Sequence, residues 1–215
     1  MDLNKYIDHT LLAPDATRTD VDRVVKEAIE NKFVSVMINP YWVSYVHEKL
    51  SGTGVKTATV IGFPLGANTT SIKVAEAKEA IKNGADEIDM VMNIGEFKSQ
   101  NYEAVENDIK AVVEVGHDNN RIVKVIIENA LLTSDETAKA SKLVSDANAD
   151  FVKTSTGFSI SGAKVEDVKI MKQAVDDHTQ VKAAGGIHSA EEAQAMIDAG
   201  ATRLGTSASM KIIGK

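Results

Sequence analysis

Four charged residues stand inside stretches that otherwise read as buried strands: Asp8 in "IDHTLL" (7–12), Asp89 in "EIDMVMN" (87–93), Lys153 in "FVKTST" (151–156) and Lys182 in "VKAAGG" (181–186). Buried strands favour Val, Ile and Phe, and a lysine is almost never fully buried without a partner. Strand side chains alternate faces with a period of two. On that spacing Asp8 and Thr10 oppose Ile7, His9 and Leu11, and Asp89 opposes Ile88 and Met90. Lys153 shares a face with Phe151 and Ser155, and Lys182 opposes Val181 and Ala183. If the apolar faces meet helices, two lysines and two aspartates converge on one interior space. A lysine there can become a neutral amine and attack a carbonyl. The plainer reading is a structural ion pair, or a lysine whose stem lies along apolar surface with its head in water. It accounts readily for one such residue and poorly for four on four strands.

The size of the required effect is known. An unperturbed lysine has a pKa near 10.4, so only about one in 2,500 is neutral at pH 7. Lowering that pKa to ~7 takes roughly 4.6 kcal/mol. A second ammonium ~4 Å away supplies about 4 kcal/mol at an effective dielectric of about 20, and desolvation acts in the same direction. A neighbouring lysine is therefore of the right size to activate another as a nucleophile, whereas a carboxylate such as Asp89 acts the opposite way by stabilising the ammonium.

The elements that must hold these residues alternate along the chain. Further strand candidates are "SVMIN" (35–39), "TATVIGF" (57–63), "VKVIIEN" (123–129) and "RLGTS" (203–207), which brings the number to eight. Between them run helical patterns. Val21, Val24, Val25, Ala28 and Ile29 follow helical spacing. Thr133–Glu136 and Ser189–Glu192 have capping-box form. Gly84, Gly116 and Gly200 stand where helices should end. A weak repeat, "NGADEIDMV", "ANADFVKTS" and "AGATRLGTS", aligns Asp89, Lys153 and Gly205 at one structural position. Eight strand–helix alternations favour a closed (β/α)8 TIM barrel, a single domain over residues 1–215, ahead of an open doubly wound sheet. Such barrels carry their active sites at the C-terminal ends of the strands. There "STG" (155–157), "AGGI" (184–187) and "GTSAS" (205–209) offer glycine turns whose backbone N–H groups can approach an anion, with a helix N-terminus expected near Ser207.

Composition narrows the field. The formal charge of −7 argues against general nucleic-acid binding. No apolar run approaches the ~18–20 residues that span a bilayer, and "MDLNKYIDHTLL" lacks a signal-peptide core, so a cytoplasmic protein is expected. With no cysteine, thiolate metal sites and cysteine nucleophiles are excluded together. His9, His47, His117, His178 and His188 are scattered with no pair at ligand spacing, so no metal is expected.

The motifs "YIDHTLL", "TVIGFPLG", "EIDMVMNIGE", "KVIIEN", "FVKTSTGF", "VKAAGGI" and "RLGTS" run in order over nearly the whole chain. Through them the chain resembles the 2-deoxyribose-5-phosphate aldolases, class I Schiff-base aldolases built as (β/α)8 barrels. The resemblance implies cleavage of 2-deoxyribose 5-phosphate to acetaldehyde and glyceraldehyde 3-phosphate, with no cofactor. It implies Lys153 as the Schiff-base lysine, Lys182 as the second active-site lysine whose charge activates it, Asp89 as the carboxylate that relays protons through water close to Lys182, and Asp8 as a supporting carboxylate. Thr156, Gly157, Gly185, Gly186, Gly205 and Ser207 match its phosphate- and substrate-holding turns. Small sugar phosphates and aldehydes are then the partners, and a homodimer is the assembly the resemblance suggests. Two positions depart from the pattern. Met37 stands where many relatives have cysteine, and Ala208 where a second serine is expected. The alternatives are another Schiff-base sugar-phosphate aldolase or transaldolase, and a non-catalytic phosphate-binding barrel.

Overall fold

The computed structural model describes residues 2–215. Its eight strands are β1 (Ile7–Leu11), β2 (Ser35–Ile38), β3 (Lys56–Ile61), β4 (Glu87–Val91), β5 (Ile122–Ile126), β6 (Phe151–Lys153), β7 (Gln180–Ala184) and β8 (Arg203–Thr206). All neighbours pair in parallel and in chain order, and β8 closes on β1, so the sheet is a barrel and not an open sheet. The helices are α1 (Arg18–Asn31), α2 (Val43–Leu50), α3 (Thr70–Lys82), α4 (Ile94–Lys98), α5 (Tyr102–Asp118), α6 (Ser134–Asp146), α7 (Val165–Ala174), α8 (Ala190–Asp198) and α9 (Ser209–Ile212).

The helices dock through the faces their sequences predict. Val21, Val24, Val25 and Ala28 of α1 are buried, while Ile29 lies at the exposed edge of the stripe. Both expected capping boxes form, at Thr133–Glu136 and Ser189–Glu192, and a further one forms at Thr17–Asp20. Gly84 and Gly200 follow the ends of α3 and α8 in the left-handed region. Gly116 does not end a helix. It lies inside α5, where an added Cβ would stand 2.2 Å from the Val123 side chain, so close packing on β5 explains the residue. β6 is three residues long, shorter than its apolar run. Beyond it the Thr154 hydroxyl takes over from the backbone, accepting from Ala184 N–H at 3.0 Å and reaching Ala184 O at 3.1 Å.

The barrel register sorts inward side chains into layers of four drawn from alternate strands, the arrangement general to this fold. Ser35, Glu87, Phe151 and Arg203 form the layer at the N-terminal end. Asp8, Ala58, Lys124 and Lys182 form the middle layer. Met37, Asp89, Lys153 and Gly205 form the layer nearest the C-terminal mouth. The position shared by Asp89, Lys153 and Gly205 in the sequence repeat is therefore one physical level of the barrel. The large apolar core lies outside the barrel, between strands and helices. The interior instead holds a small separate cluster around Met37, Ala58 and Val60, and charge. Among the described residues no helix is long and apolar enough to cross a membrane.

Candidate active site

Lys153 ends β6, and its inward side chain forms part of the wall of a cavity of ≈ 490 Å³ at the C-terminal mouth. Beneath it Asp89 Oδ2 accepts from Lys153 Nζ at 2.9 Å and from Lys182 Nζ at 2.8 Å. Asp89 thus lies against Lys182, where it is expected, and contacts Lys153 directly as well. Its other oxygen accepts from Lys124 at 2.8 Å. Lys182 also pairs with Asp8 Oδ2 at 2.5 Å. Asp8 Oδ1 accepts from Ser35 at 2.7 Å and from Arg203 at 2.8 Å. Arg203 and Lys124 both reach Glu87, at 2.7 and 2.6 Å. Asp8, Asp89, Lys124 and Lys182 have no solvent exposure at all.

Three carboxylates therefore face four cations in one buried network, and the surplus cation has a physical consequence. Burial pushes the Lys153 ammonium down, Asp89 pulls it back up, and Lys182 pushes it down again, with the result at about 8. Burial, and not Lys182, is the largest cause, which corrects the weight given to the second lysine from sequence. Spacing along a strand reveals one pair of charges, whereas the desolvation of a whole interior exists only in the closed barrel. At pH 7 about one Lys153 in ten is then a free amine. Burial opposes the charge of Asp89, yet Lys124, Lys153 and Lys182 outweigh it and hold its carboxyl well below the usual range. Asp8 behaves likewise: burial raises it, but Lys182, Arg203 and Lys124 bring it to about 2. Lys124 also loses by burial, and Asp89 and Glu87 more than restore it, raising it above the ordinary lysine value.

The predicted turns surround the same cavity. Thr156, Gly157, Gly185, Gly186, Gly205 and Ser207 all line it, together with Thr10, Phe158 and His188. Gly157, Gly185 and Gly186 have φ of 86°, 82° and 73°, which turns their backbones in a way other residues resist. Gly205 also serves the floor of the site. An added Cβ there would lie 3.2 Å from Lys182 Cε, so its bare backbone makes room for that lysine. The short α9 begins at Ser209, two residues past Ser207. Asp8, Asp89 and Lys182 are not in the cavity wall but form the floor below Lys153.

Sequence reasoning passed over Lys124, Glu87 and Arg203. The signal was present, since each falls on the inward period of its strand. It also passed over Gly162, where a Cβ would stand 2.2 Å from Gly185 carbonyl carbon, so that the β6–α7 loop can lie against the Gly185–Gly186 turn. His9 is on the outward face, as expected, between Ser209 Oγ and Glu27 Oε2, each at 2.7 Å. Though it imitates a nucleophile–base–carboxylate triad, this trio has none of its members in the cavity wall.

A lysine at the foot of a barrel cavity ringed by glycine turns has the chemistry to act as an amine nucleophile on a small anion; comparison with known proteins gives the family. Residues 3–211 match the model of the DeoC/LacD family aldolases. The chain belongs to this family. A deoxyribose-phosphate aldolase of Lactiplantibacillus plantarum is 66% identical to it, over 100% of both chains. One of Streptococcus uberis is 57% identical, over 99% of this chain and 96% of its own. Among solved structures, a deoxyribose phosphate aldolase from Aeropyrum pernix, described as tetrameric, superposes with a TM-score of 0.91 at 33% identity, covering 98% of this chain and 89% of that one. The closed eight-stranded barrel is thus the architecture of the family's aldolases.

Proposed function

We propose that this chain catalyses the reversible cleavage of 2-deoxy-D-ribose 5-phosphate to acetaldehyde and D-glyceraldehyde 3-phosphate through a Schiff base on Lys153. The observation that carries the reading is the buried Lys153 amine at the foot of the cavity, hydrogen-bonded to Asp89 and brought to about 8 chiefly by burial. The neutral amine attacks the C1 aldehyde, and loss of water gives an iminium. The C3 hydroxyl then loses its proton as the C2–C3 bond breaks. The electron pair moves into the iminium and forms an enamine, which avoids a free carbanion. Protonation at C2 and hydrolysis release acetaldehyde and restore Lys153.

Asp89 and Lys182 act on this sequence from below. Because its carboxyl is held ionised by the ammonium groups around it, Asp89 serves first as the anion that orients both lysines. The proton traffic is assigned to the Lys182–Asp89 pair acting with water. Asp8 fixes Lys182 in turn. The Gly157, Gly185–Gly186 and Gly205–Ser207 turns are assigned to the phosphate, while Ala208 offers no hydroxyl and its N–H is already donated to the Thr206 hydroxyl at 2.9 Å. Residues 1–215 act as one catalytic domain in the cytoplasm, and the assembly proposed is a homodimer, which light scattering can test.

Trapping tests the reading. Acetaldehyde followed by borohydride should leave a two-carbon mass shift on Lys153 alone; folded protein without that adduct would refute it. A panel of donor aldehydes and ketones separates this activity from that of another Schiff-base sugar-phosphate aldolase, which would prefer a different donor.

A further inference from the structure

Behind Thr156 of the cavity wall lies a buried carboxylate, Glu128, that the chemistry above does not use. Past the end of β5 the chain continues beside β6, with Ile127 N–H donating to Lys153 O at 3.0 Å and Asn129 N–H to Thr154 O at 2.9 Å. In a regular parallel ladder these donors would meet carbonyls two residues apart. Here they meet consecutive ones, so Glu128 is an extra residue, a bulge of the kind that gathers near active sites. Its backbone is left-handed, φ 54° and ψ 66°, a conformation uncommon for a residue with a long side chain. The side chain is buried, and both its oxygens lie 3.3 Å from Thr156 N. The Thr156 hydroxyl also donates to Glu128 Oε2.

That arrangement decides what Thr156 can offer a ligand. A carboxylate only accepts, so the hydroxyl proton of Thr156 is committed to Glu128. Phe158 N–H donates to the same hydroxyl at 3.0 Å. One lone pair is left, on a residue that lines the cavity with Lys153. We propose that Glu128 is a positioning residue, which fixes the Thr156–Phe158 turn and presents the Thr156 hydroxyl to the substrate as an acceptor, selecting acceptor aldehydes that carry a neighbouring hydroxyl. This rests on the aldolase reading and names a specificity device within it.

The test is the ratio of kcat/KM for D-glyceraldehyde to that for propanal, each added to acetaldehyde. Glu128→Ala should still form the acetaldehyde adduct on Lys153 while the ratio falls about tenfold, the upper end for one lost hydrogen bond between neutral groups. Glu128→Gln, which keeps an acceptor oxygen, should retain most of the ratio. Thr156→Val should collapse it as Glu128→Ala does, and the double variant should lose no more than either. An equal fall for both aldehydes, or additive losses, would overturn the proposal. If Glu128→Ala does not fold, an unchanged ratio in Thr156→Val overturns it instead. Absence of the adduct from the unsubstituted protein would overturn the aldolase reading itself, and this assignment with it.

Discussion

Among the described residues lysine is buried in two places, and they are built differently. Outside the barrel, Lys73 of α3 pairs with Asp108 of α5 at 2.5 Å and donates to Val91 O at 3.0 Å. Asp108 also accepts from Thr70 at 2.8 Å. One cation meets one carboxylate, and the remaining contacts are ordinary hydrogen bonds. Inside the barrel four cations share three carboxylates, and the surplus falls on Lys153, the one lysine of the network with access to a cavity. Burial alone therefore does not make a lysine reactive. Reactivity requires burial together with a shortage of counter-charge and an opening.

The sharpest way to break this comparison is to remove each lysine. Lys153→Ala should lower turnover at least about 10⁴-fold, as loss of a covalent nucleophile does, with no adduct and little change in fold. Lys73→Met should do the reverse. It leaves Asp108 buried without its cation, so unfolding free energy should fall by about 3–5 kcal/mol while the folded fraction keeps its kcat. Loss of activity without loss of stability in that variant would erase the distinction.

Proton titration should follow. Below about 8, kcat/KM should climb about tenfold per pH unit as Lys153 loses its proton, then level off. Lys182→Leu should move that inflection upward, though short of an unperturbed lysine, because burial remains. The same depression has a stability sign. The unfolded chain holds this proton to about 10.5 and the folded chain only to about 8, so between those values the contribution of Lys153 to stability rises with pH. The smallest effect is expected at Met37, buried in the same layer as Lys153. Met37→Cys should leave the initial rate nearly unchanged and speed inactivation during incubation with reactive aldehydes. Equal inactivation of both proteins would remove any role for the missing thiol.

Much of this site could be read from residue spacing because a strand has a fixed period. Asp8, Asp89, Lys153 and Lys182 interrupt apolar runs, so their inward direction followed once the helices were assigned to the other face. Glu87 and Arg203 obey the same period but open their strands, where a charge reads as the solvated end of an element. Lys124 is the middle residue of β5, as Lys182 is of β7, so its signal was as legible as that of Lys182 and was passed over. Glu128 left no local signal, because a left-handed bulge at a non-glycine residue is imposed by its partners on and just past the neighbouring strand β6 and not by its own preference. Gly116 misled for a related reason: its meaning lies in Val123 on a neighbouring element.

The complete burial of Asp8, Asp89, Lys124 and Lys182 also separates the protein's two electrostatic roles by their response to ionic strength. Dissolved ions cannot enter the barrel floor, so added salt should leave the pH inflection of Lys153 where it is. The glycine turns around the mouth meet solvent, and the hold on phosphate proposed for them should weaken as salt rises. One salt titration, followed through both KM and the pH profile, would move the first and not the second.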